Sequence, residues 1–304
     1  MKLSILMVTY NHEKFIARAL NSVLMQEVNF EYEIILGEDC SVDNTRKIVL
    51  AFQNKYPDKI RLHLHDKNIG AYENFSACFK ACKGDYIALL EGDDYWTSPY
   101  KLQKQVNFLD KNPDFAICFT RTEVFYEDRK KWSYHSPGNG QKEVSTIEDL
   151  LVENFMQTCS VMFRNGLIRD FPEWLSHLKL GDWPFHILNA QYGKIMYLPE
   201  IMSAYRIHAG SKWSSHSQVF RCRETIKMLE YINQYLEFKY DTILTSSIRH
   251  YSEKIDTLLS GASVKNRIKE LFNMKRYIYF ITFIKKYGIK AFLNKIIEKI
   301  EGDV

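Results

Sequence analysis

The sequence lacks the features that most directly place a protein in a zinc, disulfide or membrane class. Its six cysteines form no CxxC pair, and Cys78 and Cys82 stand at helical spacing, which argues against a zinc site. No stretch is long and apolar enough to span a bilayer, and no secretory signal precedes the apolar run at residues 3–8. We therefore expect a cytoplasmic protein with reduced thiols.

The loop after the first apolar run also lacks glycine. It reads Thr9, Tyr10, Asn11, His12 and Glu13, so it is neither a dinucleotide-binding turn nor a P-loop. A nucleotidyltransferase that makes activated sugars would need a glycine-rich, basic loop at this point to hold a triphosphate. The sequence therefore argues against that class of enzyme.

The chain carries little net charge, but its basic residues are unevenly placed. A formal charge of +4 in 304 residues is too small to indicate a nucleic-acid partner, and a hydrophobic content of 46% excludes a disordered chain. Residues 265–299, however, hold ten lysines and arginines against two acidic residues, interleaved with aromatic side chains. This pattern is typical of a helix lying on an anionic membrane; a solvated helical face or a dimer contact is the alternative.

Strand-like and helix-like patterns alternate along the first half of the chain. Continuous apolar runs separated by helical spacing predict an α/β fold with a mainly parallel, Rossmann-like sheet flanked by helices. We assign this domain to residues 1–216 and a helical, basic, amphipathic extension to residues 217–304. A further helix is predicted to begin at Pro99. The predicted strands span residues 3–8, 33–36, 60–64, 85–90, 115–120 and 159–163, and residues 132–141 are predicted to form a loop.

The strongest candidate for chemistry is an acidic turn. In parallel sheets ligands bind beyond the carboxyl ends of the strands, and Glu91, Asp93 and Asp94 directly follow a predicted buried strand. Three carboxylates repel one another there unless they share a hard cation such as Mg²⁺ or Mn²⁺, which would bridge two phosphates of a nucleotide. An acidic turn in water, with Asp93 and Asp94 as helix caps, is the alternative.

Two other strand ends carry weaker signals. Asp39 follows the second strand, where its carboxylate is placed to accept hydrogen bonds from a nucleotide base. Tyr10 in the first loop is suited to stacking on a base. A polar turn capped by Asn11 is the competing interpretation of that loop.

The roles of two residues farther along the chain, Asp182 and His208, cannot be decided from residue type alone. Asp182 precedes a predicted helix at residues 185–192, where it is either a helix cap or a general base at a cleft. The neighbouring Trp183 suits stacking on a sugar. His208 would need to reach the acidic turn to complete a metal shell, and a lone histidine is more often structural.

Taken together and in order, these segments resemble family 2 glycosyltransferases of the GT-A fold over roughly residues 3–213. Each motif is weak alone, whereas the ordered set is specific. Glu91 stands where aspartate is more usual in the family, and Cys40 stands where glycine is usual. The matching motifs are Val8-Thr9-Tyr10-Asn11, Glu38-Asp39-Cys40-Ser41-Val42-Asp43-Asn44-Thr45, Asn68-Ile69-Gly70, Glu91-Gly92-Asp93-Asp94-Tyr95-Trp96 and Gly181-Asp182-Trp183.

The resemblance implies a role for each matching residue. Asp182 would be the catalytic base, and the cofactor would be Mn²⁺ or Mg²⁺. The metal would be held by Asp94, Asp93, Glu91 and His208. The nucleotide sugar would contact Thr9, Tyr10, Asn11, Glu13, Asp39, Asn68, Gly70 and Asp93, and the acceptor would contact Trp96 and Trp183.

The resemblance also implies the reaction and its partners. A sugar would pass with inversion from a nucleotide diphosphate, a UDP-sugar being favoured, to a hydroxyl of a glycan or lipid-linked acceptor in surface polysaccharide synthesis. The C-terminal region would make a peripheral contact with the inner face of the cell membrane, and no nucleic acid would be bound. The rival is a non-catalytic, membrane-docked sugar-binding or scaffold protein, against which the intact Asp93, Asp94, Asp182 and His208 argue.

Overall fold

The computed structural model of the chain describes residues 1–128 and 133–271, with side chains described through residue 260. It contains two compact units, Met1–Tyr251 and Ser252–Val304. The second unit is helical as far as Leu271, where the described residues end.

The first unit extends beyond the boundary expected at residue 216. The helix that follows that point packs Met228, Leu229 and Ile232 into the core of the first unit, so it belongs with the sheet. Most of the predicted basic tail, residues 272–299, lies outside the described residues. Among the helices that are described, none combines the length and hydropathy needed to cross a membrane.

A mixed sheet forms the centre of the first unit. The described residues contribute the strands β1 Leu3–Thr9, β2 Tyr32–Glu38, β3 Ile60–Leu64, β4 Tyr86–Glu91, β5 Tyr95–Trp96, β6 Phe115–Tyr126, β7 Ser133–Ser136, β8 Val144–Ser145, β9 Met162–Arg164 and β10 Lys194–Ile207. Their order is β3-β2-β1-β4-β9-β6-β10-β5, with β7 paired to β6 and β8 paired to β10.

Helices cover both faces of this sheet, which confirms the predicted fold class. Along β1, Leu6 packs into the core on one face and Ile5 and Met7 pack into the core on the other. Strands buried on both faces are the reason for the continuous apolar runs in the sequence. The helices are α1 Ile16–Leu24, α2 Thr45–Lys55, α3 Ala71–Ala81, α4 Lys101–Lys111, α5 Ile147–Val152, α6 Asp182–Ala190, α7 Gln218–Tyr235 and α8 Asp241–Leu271.

The parallel part of the sheet matches the prediction, and the remainder is mixed. Strands β3, β2, β1 and β4 are parallel neighbours, as expected from the alternation of strands and helices. Strand β9 then pairs antiparallel with both β4 and β6. The long strand β10 was not predicted, because its pairing with β6 shifts register between Leu198 and Ser203 and breaks the regular pattern of a strand.

Three local predictions need correction. The strand expected at residues 159–163 is divided into a 3₁₀ turn, Thr158–Ser160, and β9. The loop expected at residues 132–141 contains strand β7, which pairs with β6. Helix α4 begins at Lys101 rather than Pro99, because the Pro99 carbonyl accepts a hydrogen bond from Glu27 N and is tied to the end of α1.

A fully buried lysine lies in the core beneath helix α4. Lys101 Nζ donates to Gln105 Oε1 at 2.7 Å and lies 4.5 Å from the centre of the Trp96 ring. Burial lowers the pKa of Lys101 to about 7. The pKa of Lys101 is lower in the native protein than in the unfolded chain. At pH values between these two pKa values the lysine is protonated in the unfolded chain and neutral in the native protein. The free energy of unfolding therefore rises with pH over this range.

We expect Lys101→Met to remove this pH dependence. The free energy of unfolding of the wild-type protein should rise relative to the variant from about pH 7 toward pH 10, by about 1.4 kcal/mol per pH unit. Urea unfolding at several pH values measures this difference. Lys104→Met, a change of an exposed lysine on the same helix, is the control. A difference between wild type and Lys101→Met that does not vary with pH would contradict the assignment.

Candidate active site

Three loops meet at one edge of the sheet because β1, β2 and β4 are parallel neighbours. The loop after β2 is tied to β1 by the bond from Asp39 N to Thr9 O, at 3.1 Å. The turn after β4 is tied to β1 by the bond from Gly92 N to Val8 O, at 3.0 Å. The predicted strand-end segments are therefore brought together, as parallel pairing requires.

The acidic turn after β4 concentrates three carboxylates. Oxygens of Glu91, Asp93 and Asp94 lie within 4.8 Å of one another. Burial, with the charges of Asp93 and Asp182, raises the pKa of Glu91 to about 8. Burial and the charges of Asp93 and Glu91 also raise the pKa of Asp94 well above its usual value. Carboxylates crowded in this way are stabilised by a shared positive charge.

One oxygen of the turn is buried and has no hydrogen-bond partner among the described residues. Asp94 is 1% exposed, and its Oδ1 accepts a hydrogen bond from Arg206 N at 2.8 Å. Its Oδ2 is buried and unpaired. An unpaired buried oxygen is costly unless a ligand satisfies it. The donor set of the turn therefore fits a hard divalent cation such as Mn²⁺ or Mg²⁺.

Two imidazoles face the same turn. His208 Nε2 lies 3.1 Å from Asp93 Oδ2, and His12 Nε2 lies 3.7 Å from the same oxygen. Burial would raise the pKa of Asp93, but the hydrogen bond with His208 and the charge of His12 hold it below its usual value. His12, Asp93 and His208 form a second group of potential metal ligands. Burial lowers the pKa of His12, which favours the neutral imidazole that binds metals.

His12 is a site residue that the sequence interpretation missed. It stands in the quoted loop after β1, but a histidine between two polar residues gave no sign that it would turn toward β4. Gly92 explains the approach, because a Cβ there would meet Thr9 Oγ1 at 2.6 Å and His12 Nδ1 at 2.9 Å. Only glycine at this position lets the two loops pack.

Arg206 fastens the acidic turn to the end of β10. Its backbone N–H binds Asp94, and its Nε donates to the Asp93 carbonyl oxygen at 2.8 Å. Its guanidinium lies 4.5 Å from the centre of the Phe15 ring and 4.9 Å from that of Phe125. The side chain is 5% exposed and forms an ion pair with Glu127. This arrangement fixes the direction of the Asp94 carboxylate.

Two residues predicted to contact the nucleotide join the loops to each other. Asn11 has a positive φ of 56°, and its Oδ1 accepts from Val42 N at 3.0 Å. The Glu13 carboxylate accepts from the backbone and side chain of Asn44, at 3.0 and 2.9 Å, at the start of α2. One Glu13 oxygen is thus engaged at the start of α2, and a contact of Glu13 with the nucleotide remains a prediction.

Asp39 organises the loop that follows β3. It is 1% exposed, and its carboxylate accepts from Ile69 N at 2.7 Å and from Gly70 N at 3.0 Å. Asn68 Nδ2 donates to the Asp39 carbonyl oxygen at 3.1 Å. Gly70 adopts a φ of 91°, a conformation that glycine adopts readily. The three residues predicted at the nucleotide therefore form one hydrogen-bonded unit.

Cys40 departs from the family pattern, in which glycine is usual at this position. Its φ of 54° lies in the left-handed region, where glycine is favoured and cysteine is strained. The glycine that is usual in the family suits this backbone. Among the cysteines, Cys40 is partly exposed and the other five are buried.

Asp182 lies near the acidic turn, although it is distant in sequence. It is the first residue of α6, with Gly181 as the N-cap. Its Oδ2 accepts from Thr158 Oγ1 at 3.3 Å and from Asn154 Nδ2 at 3.4 Å. The charge of Asp182 is among the causes that raise the pKa of Glu91, which places the two carboxylates in the same electrostatic environment.

A lysine and an aromatic ring stand at the same edge. Lys212 Nζ lies 5.4 Å from the centre of the Tyr10 ring. The charge of Lys212 acts to lower the pKa of both Glu91 and His12. Thr9, which precedes Tyr10, is 2% exposed, and its buried Oγ1 has no hydrogen-bond partner within the described part of the chain. The edge therefore offers an aromatic face, a cation and an unpaired hydroxyl beside the acidic turn.

Trp96 and Trp183, which were predicted to contact the acceptor, are buried. Trp96 is 1% exposed, and its Nε1 donates to the Cys159 carbonyl oxygen at 2.8 Å. Trp183 is 5% exposed, and its Nε1 donates to the Leu150 carbonyl oxygen at 2.8 Å. Both rings pack in the core with their N–H groups satisfied, so the expectation that they contact an acceptor is wrong.

Comparison with known proteins places this chain in a family. The profile of the family described as glycosyl transferase family 2 matches residues 4–171. The uncharacterized protein Rv1520 of Mycobacterium tuberculosis is 38% identical over 213 residues, which are 70% of this chain and 61% of that protein. This chain therefore spans about three fifths of the length of that relative.

Two glycosyltransferases share the fold. Staphylococcus aureus TarS, a poly(ribitol-phosphate) beta-N-acetylglucosaminyltransferase, is 31% identical over 182 residues, which are 58% of this chain and 30% of that protein. The crystal structure of its residues 1–349 with UDP-GlcNAc superposes with a TM-score of 0.61 at 23% identity, covering 83% of this chain and 73% of that one. The mannosyltransferase PcManGT of Pyrobaculum calidifontis, crystallised with GDP-Man and Mn²⁺, superposes with a TM-score of 0.56 at 12% identity, covering 97% and 87%.

These structural matches confirm the GT-A fold, and the profile match covers more than half of the chain. On this evidence the chain belongs to glycosyl transferase family 2.

Proposed function

We propose that this protein is an inverting, metal-dependent glycosyltransferase that moves a sugar from a nucleotide diphosphate to an acceptor hydroxyl. One observation carries the proposal: Thr158 Oγ1 donates to Asp182 Oδ2 at 3.3 Å, and the carbonyl oxygen of the next residue, Cys159, accepts from Trp96 Nε1, two residues beyond Asp94 of the acidic turn. A base and a cation site at one cleft are the two parts that a single displacement at an anomeric carbon requires.

The proposed cation site centres on Asp93, which belongs to two groups of potential ligands: Glu91, Asp93 and Asp94, and His12, Asp93 and His208. The unpaired Oδ2 of Asp94 and the two imidazoles around Asp93 support this assignment. A divalent cation bound there would supply positive charge to the departing diphosphate. Mn²⁺ is favoured because PcManGT, which shares the fold, is crystallised with Mn²⁺.

The donor nucleotide is proposed to bind across the loops that follow β1, β2 and β3. Tyr10 is placed to stack on the base, and the unit formed by Asp39, Asn68 and Gly70 shapes the wall of the base site. Lys212, beside Tyr10, is placed to pair with a phosphate. A uridine nucleotide is favoured because TarS, similar in sequence over 182 residues, is crystallised with UDP-GlcNAc.

The transfer step follows from the position of Asp182. Its carboxylate takes the proton of the acceptor hydroxyl while that oxygen forms a bond to the anomeric carbon. The bond between the anomeric carbon and the diphosphate oxygen breaks on the opposite face, and the diphosphate leaves with the bonding electrons. One displacement on one face inverts the configuration of the sugar.

A role in surface polysaccharide synthesis is proposed on the resemblance to TarS, whose name specifies a poly(ribitol-phosphate) acceptor. We expect the acceptor here to be a glycan or a lipid-linked sugar. The basic region at residues 265–299 is proposed to hold the protein at an anionic membrane. Flotation with anionic and with zwitterionic liposomes tests this contact; equal binding by a chain that ends at Ser260 would contradict it.

The reaction is tested with the full chain, a panel of UDP- and GDP-sugars, and Mn²⁺, Mg²⁺ or EDTA. Metal-dependent release of a nucleoside diphosphate, with inverted configuration of the sugar product by NMR, is the expected result. Release of pyrophosphate from a nucleoside triphosphate and a sugar phosphate would indicate the nucleotidyltransferase instead. Tight donor binding without turnover of any acceptor would indicate the non-catalytic sugar-binding protein.

A further inference from the structure

The 3₁₀ turn Thr158–Ser160 contacts both halves of the proposed active site. On the metal side, Trp96 Nε1 donates to the Cys159 carbonyl oxygen at 2.8 Å, and Trp96 follows Asp94 by two residues. Just after the turn, the Val161 carbonyl oxygen accepts from Leu89 N of β4 at 3.1 Å. The turn is therefore fixed to the strand end that presents the acidic residues.

On the opposite side, Thr158 of this turn and Asn154, which precedes the turn, hold Asp182. Thr158 Oγ1 and Asn154 Nδ2 both donate to Asp182 Oδ2, at 3.3 and 3.4 Å. Asp182 Oδ1 forms no hydrogen bond with any described residue. One oxygen of the carboxylate is thus held, and the other is left to accept a proton.

These two neutral donors are the groups that orient the carboxylate. Among the described side chains Asp182 has no ion-pair partner, and the nearest histidine on its helix is His186. Burial lowers the pKa of His186 to about 4, so this imidazole is neutral near pH 7. Orientation of Asp182 therefore depends on the Thr158 hydroxyl and the Asn154 amide rather than on a charge.

We propose that Thr158, assisted by Asn154, is a positioning residue that sets the base Asp182 at its working distance from the metal-binding turn. The proposal rests on the proposed function, because it requires that Asp182 accept the proton of the acceptor. The bonds from Thr158 to Asp182 and from Trp96 to Cys159 join the two halves of the site through two adjacent residues. A shift of about 1 Å between reacting groups lowers a rate on the order of a hundredfold.

The test compares Thr158→Val, which loses the hydroxyl and keeps the shape, with Thr158→Ser, which keeps the hydroxyl. We expect kcat of Thr158→Val to fall about tenfold to a hundredfold, with donor KM and Mn²⁺ affinity unchanged, and Thr158→Ser to retain most of kcat. Thr245→Val is the matched control, because Thr245 Oγ1 donates to Asp241 Oδ1 at 3.4 Å on the exposed side of α8. It should leave kcat unchanged.

Three results would overturn the proposal: an unchanged kcat in Thr158→Val, equal losses in the valine and serine variants, or a rise in donor KM that accounts for the loss. If Thr158→Val does not fold, Thr158→Ala and Asn154→Leu supply the same comparison. In an Asp182→Asn background, Thr158→Val should cause no further loss, because both changes act on one carboxylate. Normal turnover by Asp182→Asn alone would instead remove the proposed base, and this proposal with it.

Discussion

Asp182→Asn is expected to lower kcat by about two to four orders of magnitude, the usual contribution of a general base. The affinity for the nucleotide and for Mn²⁺ should remain that of the wild type. The variant has the same shape and keeps an oxygen acceptor, so helix α6 should start as before. What is lost is the ability to take a proton.

The hydrogen bonds around Asp182 decide how the asparagine amide would orient. Thr158 and Asn154 donate to Oδ2, so they select the amide oxygen at that position. The amide NH₂ group would then stand where Oδ1 stands and would face the acceptor hydroxyl as a donor. The attacking oxygen would keep its proton, and transfer would be slow at any acceptor concentration.

Single-turnover transfer and donor binding by calorimetry measure the two quantities separately. Asp241→Asn, a change of an exposed carboxylate at the start of α8, is the matched control and should behave as the wild type. Turnover by Asp182→Asn within a few-fold of the wild type would show that another group takes the proton. A parallel loss of nucleotide affinity would show that Asp182 serves donor binding.

The parts of this site that could be predicted share a simple physical basis. Parallel strands place their carboxyl ends at one edge, so the loops containing Thr9, Asp39 and Asp94 could be expected to meet from the order of strands alone. The positions of Asp182 and His208 were expected from the family resemblance. The pairing of β10 with β6 and β5 then brings His208 to Asp93.

The parts that could not be predicted depend on tertiary contacts that residue type does not encode. Tryptophan is a residue type that often contacts sugars, but Trp96 and Trp183 are buried. Each indole N–H donates to a backbone carbonyl oxygen in the core. Arg206 lies on β10, a strand that was not predicted. Its role depends on the bond from its backbone N–H to the Asp94 carboxylate and on the bond from its Nε to the Asp93 carbonyl oxygen. A strand was predicted from residue 159, and the 3₁₀ turn that contains Thr158 was not.

Asp94→Asn is expected to abolish the effect of metal on both activity and stability. The variant should keep the bond from Arg206 N to the Oδ1 position. Its NH₂ group would replace the buried, unpaired Oδ2 and would present a donor to the place where a cation ligand is proposed. We expect Mn²⁺ affinity to fall by at least about a hundredfold, since loss of even the partners of metal ligands costs about 10- to 100-fold.

In the metal-free protein, the same substitution should increase the stability. Burial and the neighbouring charges of Glu91 and Asp93 disfavour the Asp94 carboxylate, and a neutral amide of the same shape removes that repulsion. The midpoint of thermal unfolding without metal should therefore rise in Asp94→Asn. A ligand that binds only the native state stabilises it by mass action, so Mn²⁺ should raise the midpoint of the wild type and leave that of the variant unchanged.

Thermal unfolding with Mn²⁺ and with EDTA separates these two effects. Asp114→Asn, which removes an exposed carboxylate that pairs with Lys194 at 2.8 Å, is the control and should keep the full response to Mn²⁺. An Asp94→Asn protein that Mn²⁺ stabilises as much as the wild type would place the cation elsewhere. If metal-free Asp94→Asn unfolds at a lower temperature than the metal-free wild type, the Asp94 carboxylate stabilises the fold. That result would contradict the expectation that burial makes this carboxylate destabilising without metal.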